Sequence, residues 1–559
     1  MGDAMVTYSL DQRREWSEAI PLGDLPVRAA ALWPDADAIV FPDERVSFAK
    51  LADRVVARAR SLRGLGVEAG DKVGILMANS IPYVECALAI ASLGGVAVLL
   101  NSRYRGSELR YVVADADLRA LITSNIVAEH VDHRARLQEA FPELEKSQPG
   151  ILDLEAAPLL EHVVVIGQDE DQGAFIGESR FANAADSVSA EEVDRLRQQV
   201  AIRDVCMMMY TSGTTAQPKG CPMTHEMLVR NSVSAALHRF ELTPESRMWD
   251  PLPMFHMSAI LPLIGTLYCG SAYLGMTYFE PGAALKMMEG EGATHAFPSF
   301  PTVTQALVNH PDYPTTDLSS LRLLNNVAPP QTLRKLQEHW EPATQITAYG
   351  CTEIGGVACF NEPGDSLELR VTTSGRPFPG IQMRIVDPET GEEVPRGERG
   401  EICAKGYSVF EGYYKDEKKT EEAFDSDGWF HTGDIGSMDE DGRISYLGRT
   451  KDMLKVGGEN VAAAEIEALL MEHPAVAIAQ VVGIPDERLV EVPAAFVELA
   501  PDATAEPDEL LKWTDGKIAS FKRPQHMRIV SEWPMSATKI QKFRLRRTLA
   551  EELDLELEG

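Results

Sequence analysis

The chain has 559 residues, and its 53 Lys and Arg against 85 Asp and Glu give a formal net charge of −32. Hydrophobic residues make up 44% and charged residues 25%, ordinary globular values that exclude disordered, collagen-like and coiled-coil chains. Because so acidic a surface repels phosphate backbones, nucleic acids and anionic membranes are not expected as partners. Any polyanion that the protein binds must therefore meet positive charge that is gathered locally.

The beginning of the chain and its cysteines predict a cytoplasmic protein. The first residues lack the basic and apolar regions of a secretory signal, and the seven cysteines form no CxxC pair. Residues 257–276 carry no charge and are long enough for a membrane span on length alone. Because this stretch contains Pro262, Gly265 and Gly270, we expect a buried helix followed by a buried strand, without integral membrane association.

The first 330 residues alternate helical and short apolar patterns, which predicts a largely parallel sheet covered by helices. The polar, acidic region 140–195 is instead predicted as loops with one strand, 163–166. Predicted helices are 47–65, 82–92, 225–236 and 259–268. Predicted strands are 72–77, 96–99, 205–210 and 321–324.

From about residue 370 the pattern changes to short strands separated by turns, which predicts a more antiparallel, barrel-like unit. Its strands are predicted at 381–386, 401–404 and 443–447. After residue 450 a compact α+β pattern begins, with helices at 462–471 and 507–520 and strands at 476–482 and 493–499. The predicted fold class is thus α/β, with a large N-terminal domain (1–450) and a small C-terminal domain (451–559).

A loop rich in hydroxyl groups follows the predicted strand 205–210. It reads Tyr-Thr-Ser-Gly-Thr-Thr-Ala-Gln-Pro-Lys-Gly over residues 210–220. Backbone N–H groups, hydroxyls and one lysine can together hold phosphate oxygens, although the Walker A pattern is absent. The candidate phosphate-binding residues are Thr211, Ser212, Gly213, Thr214, Thr215 and Lys219.

This loop resembles YTSGTTGxPKG, the signature of the adenylate-forming superfamily of acyl-CoA synthetases, luciferases and peptide-synthetase adenylation domains. Ten of its eleven letters fit, and Ala216 stands where the family has glycine. Four further segments resemble the family's motifs PLFH, YGxTE, GWxxTGD and GRxKDxIKxxGxxV, in the family's order. They are Pro253–His256, Tyr349–Glu353, Gly428–Asp434 and Gly448–Val461.

The resemblance implies a site for ATP and Mg²⁺. It assigns Glu353 and Thr211 to the metal, Thr352 to a phosphate, and Asp434 and Arg449 to ribose or phosphate. The remaining implied ATP-binding residues are Tyr349, Lys539 and the phosphate-loop residues. The implied catalytic residues are Lys539, Glu353, Thr352 and His256.

The family's small domain swings about a hinge between two poses, one for each half-reaction, and Lys451 is the implied hinge. Lys455, Gly457 and Gly458 are implied on the side that meets coenzyme A. The lysine that contacts the α-phosphate in the first pose matches Lys539, if the preceding loop is one residue shorter than in the family.

The resemblance also locates an acyl pocket. His256 corresponds to the wall between the acyl pocket and the pantetheine tunnel. Asn326 and Val327 replace the glycines of a stretch that usually reads SGGAP, so we expect a restricted pocket. That pocket suits a short, medium or ring-bearing acid better than a very long straight chain. The implied acyl-pocket residues are His256, Asn326, Val327, Ala328 and Cys351.

The implied function is an AMP-forming acyl-CoA synthetase, with ATP, Mg²⁺ and coenzyme A, acting on a small carboxylic acid through an acyl-adenylate. Three other interpretations stay open: a stand-alone enzyme that loads a carrier protein, a luciferase-type oxygenase, and a degenerate nucleotide- or acyl-binding regulator. Assembly into a homodimer is also left open. The reaction would bring two polyanions to the small domain, and residues 512–547 contain ten Lys and Arg against two acids.

Overall fold

A computed structural model describes residues 19–211, 218–449, 453–456, 459–486, 489–536 and 539–555. Two seven-stranded sheets form the centre of the N-terminal part. Each is built from short, largely buried apolar runs, the pattern of strands that are covered on both faces. The helical and apolar patterns of the sequence predicted mainly parallel sheets covered by helices, and this prediction is confirmed.

The first sheet carries the phosphate-loop segment at one edge. Its strands pair in parallel except the last, which runs antiparallel to Val205–Thr211. The spatial order is Phe175–Gly177, His162–Ile166, Leu118–Ser124, Lys72–Leu76, Val96–Leu99, Val205–Thr211 and Lys219–Thr224.

The second sheet has the same plan, with one antiparallel strand at its edge. Its spatial order is Thr344–Ile346, Leu323–Asn326, His295–Ser299, Arg247–Asp250, Ala272–Gly275, Asp37–Val40 and Arg45–Ser47. No helix in the described ranges combines the length and the apolar composition that a bilayer crossing requires. The uncharged stretch 257–276 folds as expected, into the helix Met257–Cys269 and the buried strand Ala272–Gly275.

Helices cover both sheets, and hydroxyl side chains cap several of them. The Ser47 side chain accepts a hydrogen bond from Lys50 N at 3.3 Å, and Thr224 accepts one from Met227 N at 3.1 Å. The α-helices of this part are Leu25–Leu32, Phe48–Gly64, Ile81–Ser92, Gly106–Asp115, His133–Ala140, Glu178–Asn183, Ala190–Arg197, His225–His238, Met257–Cys269, Pro281–Gly290, Pro301–Val308, Pro330–Trp340, Leu367–Thr372 and Glu417–Ala423. Short 3₁₀ turns are Leu22–Asp24, Pro142–Glu145, Ala184–Ser187, Tyr313–Thr315 and Thr352–Ile354.

Two antiparallel sheets complete the N-terminal part, in the region where the sequence predicts them. A three-stranded sheet consists of Ala348–Tyr349, Cys359–Phe360 and Arg376–Pro377. A four-stranded sheet consists of Ile381–Val386, Arg399–Gly406, Phe430–Met438 and Ile444–Arg449.

The C-terminal part has its own sheet and its own buried core around Leu454, Val461 and Ile466. The strands Glu459–Ala462, Met453–Val456, Val490–Leu499 and Val476–Asp486 are antiparallel, and His526–Ile529 adds in parallel to Val490–Leu499. The short strands Met535–Ser536 and Lys539–Ile540 pair as a hairpin. The helices are Ala463–Met471, Pro507–Trp513 and Lys542–Glu552, with a 3₁₀ turn at Ser520–Lys522.

Two expectations from the sequence are wrong. The helix predicted over 507–520 ends at Trp513, because Gly516 adopts a positive φ of +71° that no α-helix contains. The region 140–195 contains more than loops and one strand. It includes the helices Glu178–Asn183 and Ala190–Arg197, the second capped by the Ser189 hydroxyl, which accepts from Glu192 N at 3.2 Å. A Ser-x-x-Glu pattern marks the start of a helix. The prediction missed this helix because the region was judged by its acidic composition.

The basic stretch 512–547 is partly neutralised by acids, some of them from elsewhere in the small domain. Lys522 lies 2.7 Å from Glu465, and Lys542 lies 2.6 Å from Glu467. Arg523, Arg528 and Arg546 also form ion pairs, with Asp515, Glu552 and Glu491. Residues 451–559 contain 13 Lys and Arg against 20 Asp and Glu, so this part carries −7 overall. The small domain is therefore negative overall, and its positive charge is confined to a few side chains.

Two buried histidines predict a loss of stability in mild acid. Burial lowers the pKa of His225 and of His295 to about 4, and His225 Nδ1 accepts a hydrogen bond from Leu22 N at 2.8 Å. The unfolded chain protonates both rings near pH 6.5, whereas the folded chain excludes those protons. The free energy of unfolding should therefore fall as the pH drops from about 6.5 to 4, by up to about 3 kcal/mol for each ring.

Denaturant unfolding at a series of pH values measures this effect. His225→Gln and His295→Gln should each flatten the acid limb of the stability profile, while the exposed His130→Gln should leave it unchanged. An acid limb of unchanged steepness in the His225→Gln/His295→Gln variant would contradict the prediction.

Candidate active site

The phosphate-loop hairpin brings a threonine and a lysine face to face. Thr211 ends one strand, Lys219 begins the next, and the two residues pair across the sheet. Lys219 Nζ lies 4.1 Å from the centre of the Tyr413 ring, a cation–π distance. Residues 212–215, which include the predicted Ser212, Gly213, Thr214 and Thr215, lie outside the described residues, as does Ala216.

Glu353 is joined to this hairpin through the same tyrosine. The Tyr413 hydroxyl donates to Glu353 Oε1 at 3.0 Å, and Phe410 N donates to the Glu353 carbonyl at 2.9 Å. Burial and the Glu353 carboxylate raise the pKa of Tyr413, so its hydroxyl keeps its proton and orients the carboxylate. Thr352 and Glu353 share one half-buried 3₁₀ turn.

The turn that carries Glu353 is held against two helices. Asn231, from the helix His225–His238, donates to the Gly355 carbonyl at 2.9 Å. Gly356 has a positive φ of +86°, and a Cβ there would lie 2.6 Å from Met257 Cβ. Only glycine fits this position, so the turn lies directly on the start of the helix that follows His256.

A second group gathers around a buried carboxylate. Asp434 is 3% exposed and accepts the Tyr349 hydroxyl at 2.9 Å and Arg449 Nε at 3.0 Å. The contact with Arg449 follows from the strand register, because Asp434 and Arg449 pair directly across two neighbouring strands. The ring of Tyr446, which is 45% exposed, stacks on Tyr349 with centres 5.9 Å apart. Burial, then Asp434, raises the pKa of Tyr349, which keeps this hydroxyl a donor.

Cys351 lies between the two groups. Burial raises the pKa of its thiol, and the carboxylates of Glu353 and Asp434 raise it further. Its sulfur is therefore protonated at neutral pH and unsuited to nucleophilic attack. The motif Tyr349–Glu353 thus directs alternate residues to one region that contains a buried carboxylate, a thiol and a second carboxylate.

His256 immediately precedes the helix Met257–Cys269. Its half-buried ring packs at 4.7 Å, centre to centre, from Phe255. This position places an imidazole beside the turn that carries Glu353. Its predicted roles at the acyl pocket and in catalysis stay predictions.

The two substituted positions at the end of the strand Leu323–Asn326 differ in how far their side chains are exposed. Asn326 is fully buried, accepts the Thr304 hydroxyl and donates to Gln345 Oε1 at 2.7 Å. Val327 is 42% exposed, and its N–H donates to the Ser299 carbonyl at 2.7 Å. Ala328 is half-buried. Of the two substituted positions, Val327 is therefore the one whose side chain a ligand can reach.

The predicted residues of the small domain are described in their backbone only, or not at all. Lys455 lies in the strand Met453–Val456, and Gly457 and Gly458, which follow it, lie outside the described residues together with Lys451. Lys539 pairs with Ser536, and the two residues between them lie outside the described residues. The assignment of Lys539 as the lysine of the first half-reaction stays a prediction.

Three residues of the site escaped sequence reasoning: Tyr413, Tyr446 and Asn231. Tyr446 is an exposed aromatic in a strand, which is a weak signal in itself. Tyr413 and Asn231 carry no local signal, because each acts on a residue more than 50 positions away.

Comparison with known proteins identifies the family of the chain. Residues 27–414 match the AMP-binding enzyme family, and residues 465–539 match the AMP-binding enzyme C-terminal domain. The chain belongs to the AMP-binding enzyme family. The adenylate-forming resemblance predicted from the motifs is confirmed, and ATP is supported as the nucleotide of the enzyme.

Full-length relatives of this AMP-binding enzyme are named as acyl-CoA synthetases or ligases. The putative acyl-CoA synthetase YngI of Bacillus subtilis (strain 168) is 35% identical over 541 residues, 96% of this chain and 98% of that protein. The mitochondrial medium-chain acyl-CoA ligase ACSF2 of Homo sapiens is 31% identical over 535 residues, 93% of this chain and 86% of that protein. The predicted activity class, an AMP-forming acyl-CoA ligase, is confirmed.

Solved structures of similar enzymes share the fold over nearly the whole chain. The anthranilate CoA ligase AuaEII in complex with anthranoyl-AMP has a TM-score of 0.82 at 27% identity, covering 96% of this chain and 98% of that chain. ATP-bound MatB from Rhodopseudomonas palustris has a TM-score of 0.80 at 28% identity, covering 95% of this chain and 99% of that chain. The predicted fold class is confirmed.

Proposed function

We propose that this AMP-binding enzyme joins a short, medium-length or ring-bearing carboxylic acid to coenzyme A, at the expense of Mg²⁺-bound ATP. The observation that carries the proposal is the Tyr349–Asp434–Arg449 cluster beside the Glu353 turn, in a chain related over its full length to acyl-CoA ligases. Relatives and structural neighbours named for medium-chain acids and for anthranilate support this range of acids. A cytoplasmic location stays a prediction.

In the first half-reaction a carboxylate oxygen of the acid forms a bond to the α-phosphorus of ATP, and the bond to pyrophosphate breaks. Asp434 accepts the ribose hydroxyls, and Arg449 donates to ribose or phosphate. Lys219 and the phosphate loop hold the phosphate oxygens, and Lys539 neutralises charge that develops at the α-phosphate. Thr352 donates to a phosphate.

Mg²⁺ fits the donors present at Glu353. This carboxylate is oriented by the Tyr413 hydroxyl and offers hard oxygens, the ligands that Mg²⁺ prefers. Glu353, with the hydroxyl of Thr211, would hold the ion, which when bound neutralises charge on the phosphates. The protein's own part is to fix the carboxylate through Tyr413 and the Phe410 backbone.

In the second half-reaction the thiol sulfur of coenzyme A forms a bond to the acyl carbon, and the bond to AMP breaks. We assign Lys455, Gly457 and Gly458 to the face that meets the pantetheine arm, and Lys451 to the hinge. His256 is assigned to the wall between the acyl pocket and the thiol entrance.

The division into domains 1–450 and 451–559 is part of this proposal. Two observations support it: the described sheets each lie within one part, and the family matches end at residue 414 and resume at residue 465. A hinge at Lys451 would let the small domain present Lys539 in one half-reaction and the Lys455 segment in the other.

A panel of acids, assayed in two formats, tests the function. Acid-dependent exchange of pyrophosphate into ATP without coenzyme A reports adenylation, and AMP release with coenzyme A reports the complete reaction. We expect both with the same acids. Exchange without coenzyme A-dependent AMP release would favour a carrier-loading enzyme. No exchange with any acid, and nucleotide binding alone, would favour a regulator.

Because Val327 is exposed, we expect its side chain to limit the length of the acid that the enzyme accepts. Val327→Gly should extend turnover to acids about two to four carbons longer, because a buried methylene contributes about 0.8 kcal/mol once space is available. The measurement is kcat/KM across straight-chain acids of increasing length. Val308→Ala, a substitution in a neighbouring helix, serves as the control and should leave the profile unchanged. An unchanged profile for Val327→Gly would contradict a role in acyl selection.

A further inference from the structure

A thiol, an imidazole and a carboxylate converge on two neighbouring strands of the four-stranded sheet. Cys403 and His431 are directly paired across neighbouring strands, and Glu401 lies two residues before Cys403 on the same face. His431 Nδ1 lies 2.8 Å from Glu401 Oε2 and 3.5 Å from Cys403 Sγ. In the part of the chain that the structure describes, this is the one group of three metal-ligating side chains whose donor atoms lie within 4.8 Å of one another.

With metal–ligand bonds of about 2.0–2.3 Å, the donor atoms of a tetrahedral metal site lie about 3.2–3.7 Å apart. The 3.5 Å between His431 Nδ1 and Cys403 Sγ matches such an edge, whereas the 2.8 Å between His431 Nδ1 and Glu401 Oε2 is a hydrogen-bond distance that must lengthen by about 0.5 Å when an ion enters. A mixed set of sulfur, nitrogen and oxygen suits Zn²⁺, whereas Mg²⁺ takes oxygen ligands alone. The chemistry therefore distinguishes this group from the metal position proposed at Glu353.

The surroundings of His431 resemble the second layer of a metal site. The opposite ring nitrogen, Nε2, lies 3.7 Å from Asp425 Oδ2. Without a metal, the 2.8 Å contact with the Glu401 carboxylate places the ring proton on Nδ1, since a carboxylate only accepts. An ion at Nδ1 would leave the proton on Nε2, the nitrogen that Asp425 faces. Glu401 is fixed as well, because its Oε1 accepts the Gly433 N–H at 2.9 Å while Oε2 faces His431.

The charges balance for a divalent cation. Arg384 pairs with Asp425, so its positive charge is compensated beside the group. Glu401 and a Cys403 thiolate then supply two negative charges, which equal the charge of one Zn²⁺. Cys403 is fully buried and His431 is 27% exposed in its side chain, so an ion would be shielded on the sulfur side and reached past the imidazole.

We propose that Glu401, Cys403 and His431 form a Zn²⁺ site, with water in the fourth position and Asp425 orienting the imidazole. The site lies three residues from Asp434 in the chain, and its ion is distinct from the Mg²⁺ proposed at Glu353. Its ligands come from two adjacent strands whose register is set by the sheet, so the protein need not rearrange its backbone to bind the ion.

Metal titration of the full chain, stripped with a chelator, tests the site. Zn²⁺ binding is measured by competition with a chromophoric chelator, and Co²⁺ substitution gives a thiolate-to-metal charge-transfer band in the near ultraviolet. We expect one Zn²⁺ per chain, bound in the presence of excess Mg²⁺. Cys403→Ser should abolish the band, and Glu401→Gln and His431→Gln should each weaken binding at least about tenfold.

Matched variants separate metal ligation from folding. Asp425→Asn should weaken Zn²⁺ binding about tenfold while keeping the charge-transfer band, because it changes only the orientation of the imidazole. Cys359→Ala, at another buried cysteine of the N-terminal part, should change neither readout. Thermal unfolding of the metal-free variants shows whether each is folded.

The pH dependence gives a further readout. Burial and Glu401 raise the pKa of the Cys403 thiol to about 12, and Asp425 and Arg384 act on it in opposite directions. Because Zn²⁺ displaces the thiol proton, affinity should rise about tenfold per pH unit between pH 7 and 8.5. Zn²⁺ affinity equal to that of Cys403→Ser, or a Co²⁺ spectrum without the thiolate band, would overturn the proposal. The group would then be an imidazole–carboxylate pair packed on a buried thiol.

Discussion

Lys539→Ala is expected to slow the adenylation half-reaction about 10²–10³-fold, because a single donor to developing charge contributes on this scale. Thioester formation from a chemically prepared acyl-adenylate should change by less than about twofold, since the lysine acts on the phosphoryl group in the first half-reaction only. Acid-dependent pyrophosphate exchange measures the first step, and single-turnover release of AMP with coenzyme A measures the second.

The small domain offers a close control for this lysine. Arg547 is an exposed cation on the helix Lys542–Glu552, in the same basic stretch. Arg547→Ala removes one positive charge without touching the hairpin Met535–Ile540, so both half-reactions should be unchanged. An equal loss in the two half-reactions of Lys539→Ala would show that the lysine supports the fold of the domain and not the chemistry of one step.

Asp434→Asn is expected to lower kcat/KM for ATP about 10²-fold, mainly through KM. The substitution keeps the size of the side chain but removes the charge that accepts from Tyr349 and Arg449 and that we propose binds ribose. Hydrogen bonds to a charged group contribute about 1.5–3 kcal/mol each, so two such bonds to ribose correspond to about 10²- to 10⁴-fold. The lower end is expected because the amide oxygen of asparagine still accepts a hydrogen bond. Calorimetric titration with ATP and steady-state kinetics measure it.

Two further variants test whether the loss in Asp434→Asn arises from weaker binding of the nucleotide. Tyr349→Phe removes one donor and leaves the carboxylate, so a smaller loss of about tenfold is expected. Asp441→Asn breaks another Asp–Arg contact, with Arg443 at 2.6 Å in the turn that joins the same two strands, and should leave ATP binding unchanged. Unaltered ATP affinity in Asp434→Asn would contradict the assignment of this carboxylate to the ribose.

Much of the fold was predictable because the signals are local. The strand Val96–Leu99 and the strand Ile381–Val386 have the predicted bounds, since short apolar runs between turn residues leave few other conformations. The helix Phe48–Gly64 begins after the capping residue Ser47. The region 140–195 was less predictable, because its helices are short and acidic and their positions depend on packing against distant segments.

The sequence by itself determined the family, the activity class and the residues of the motifs, because long motifs in a set order specify chemistry without knowledge of contacts. Only the tertiary structure showed that Tyr413 joins Glu353 to Lys219 and that Asn231 holds the turn, since these partners are far apart in the chain. It also showed that, among the described residues, at least five of the ten cations in 512–547 are paired with acids. The net charge of −32 therefore describes the chain as a whole, while folding decides which cations can contact a polyanion.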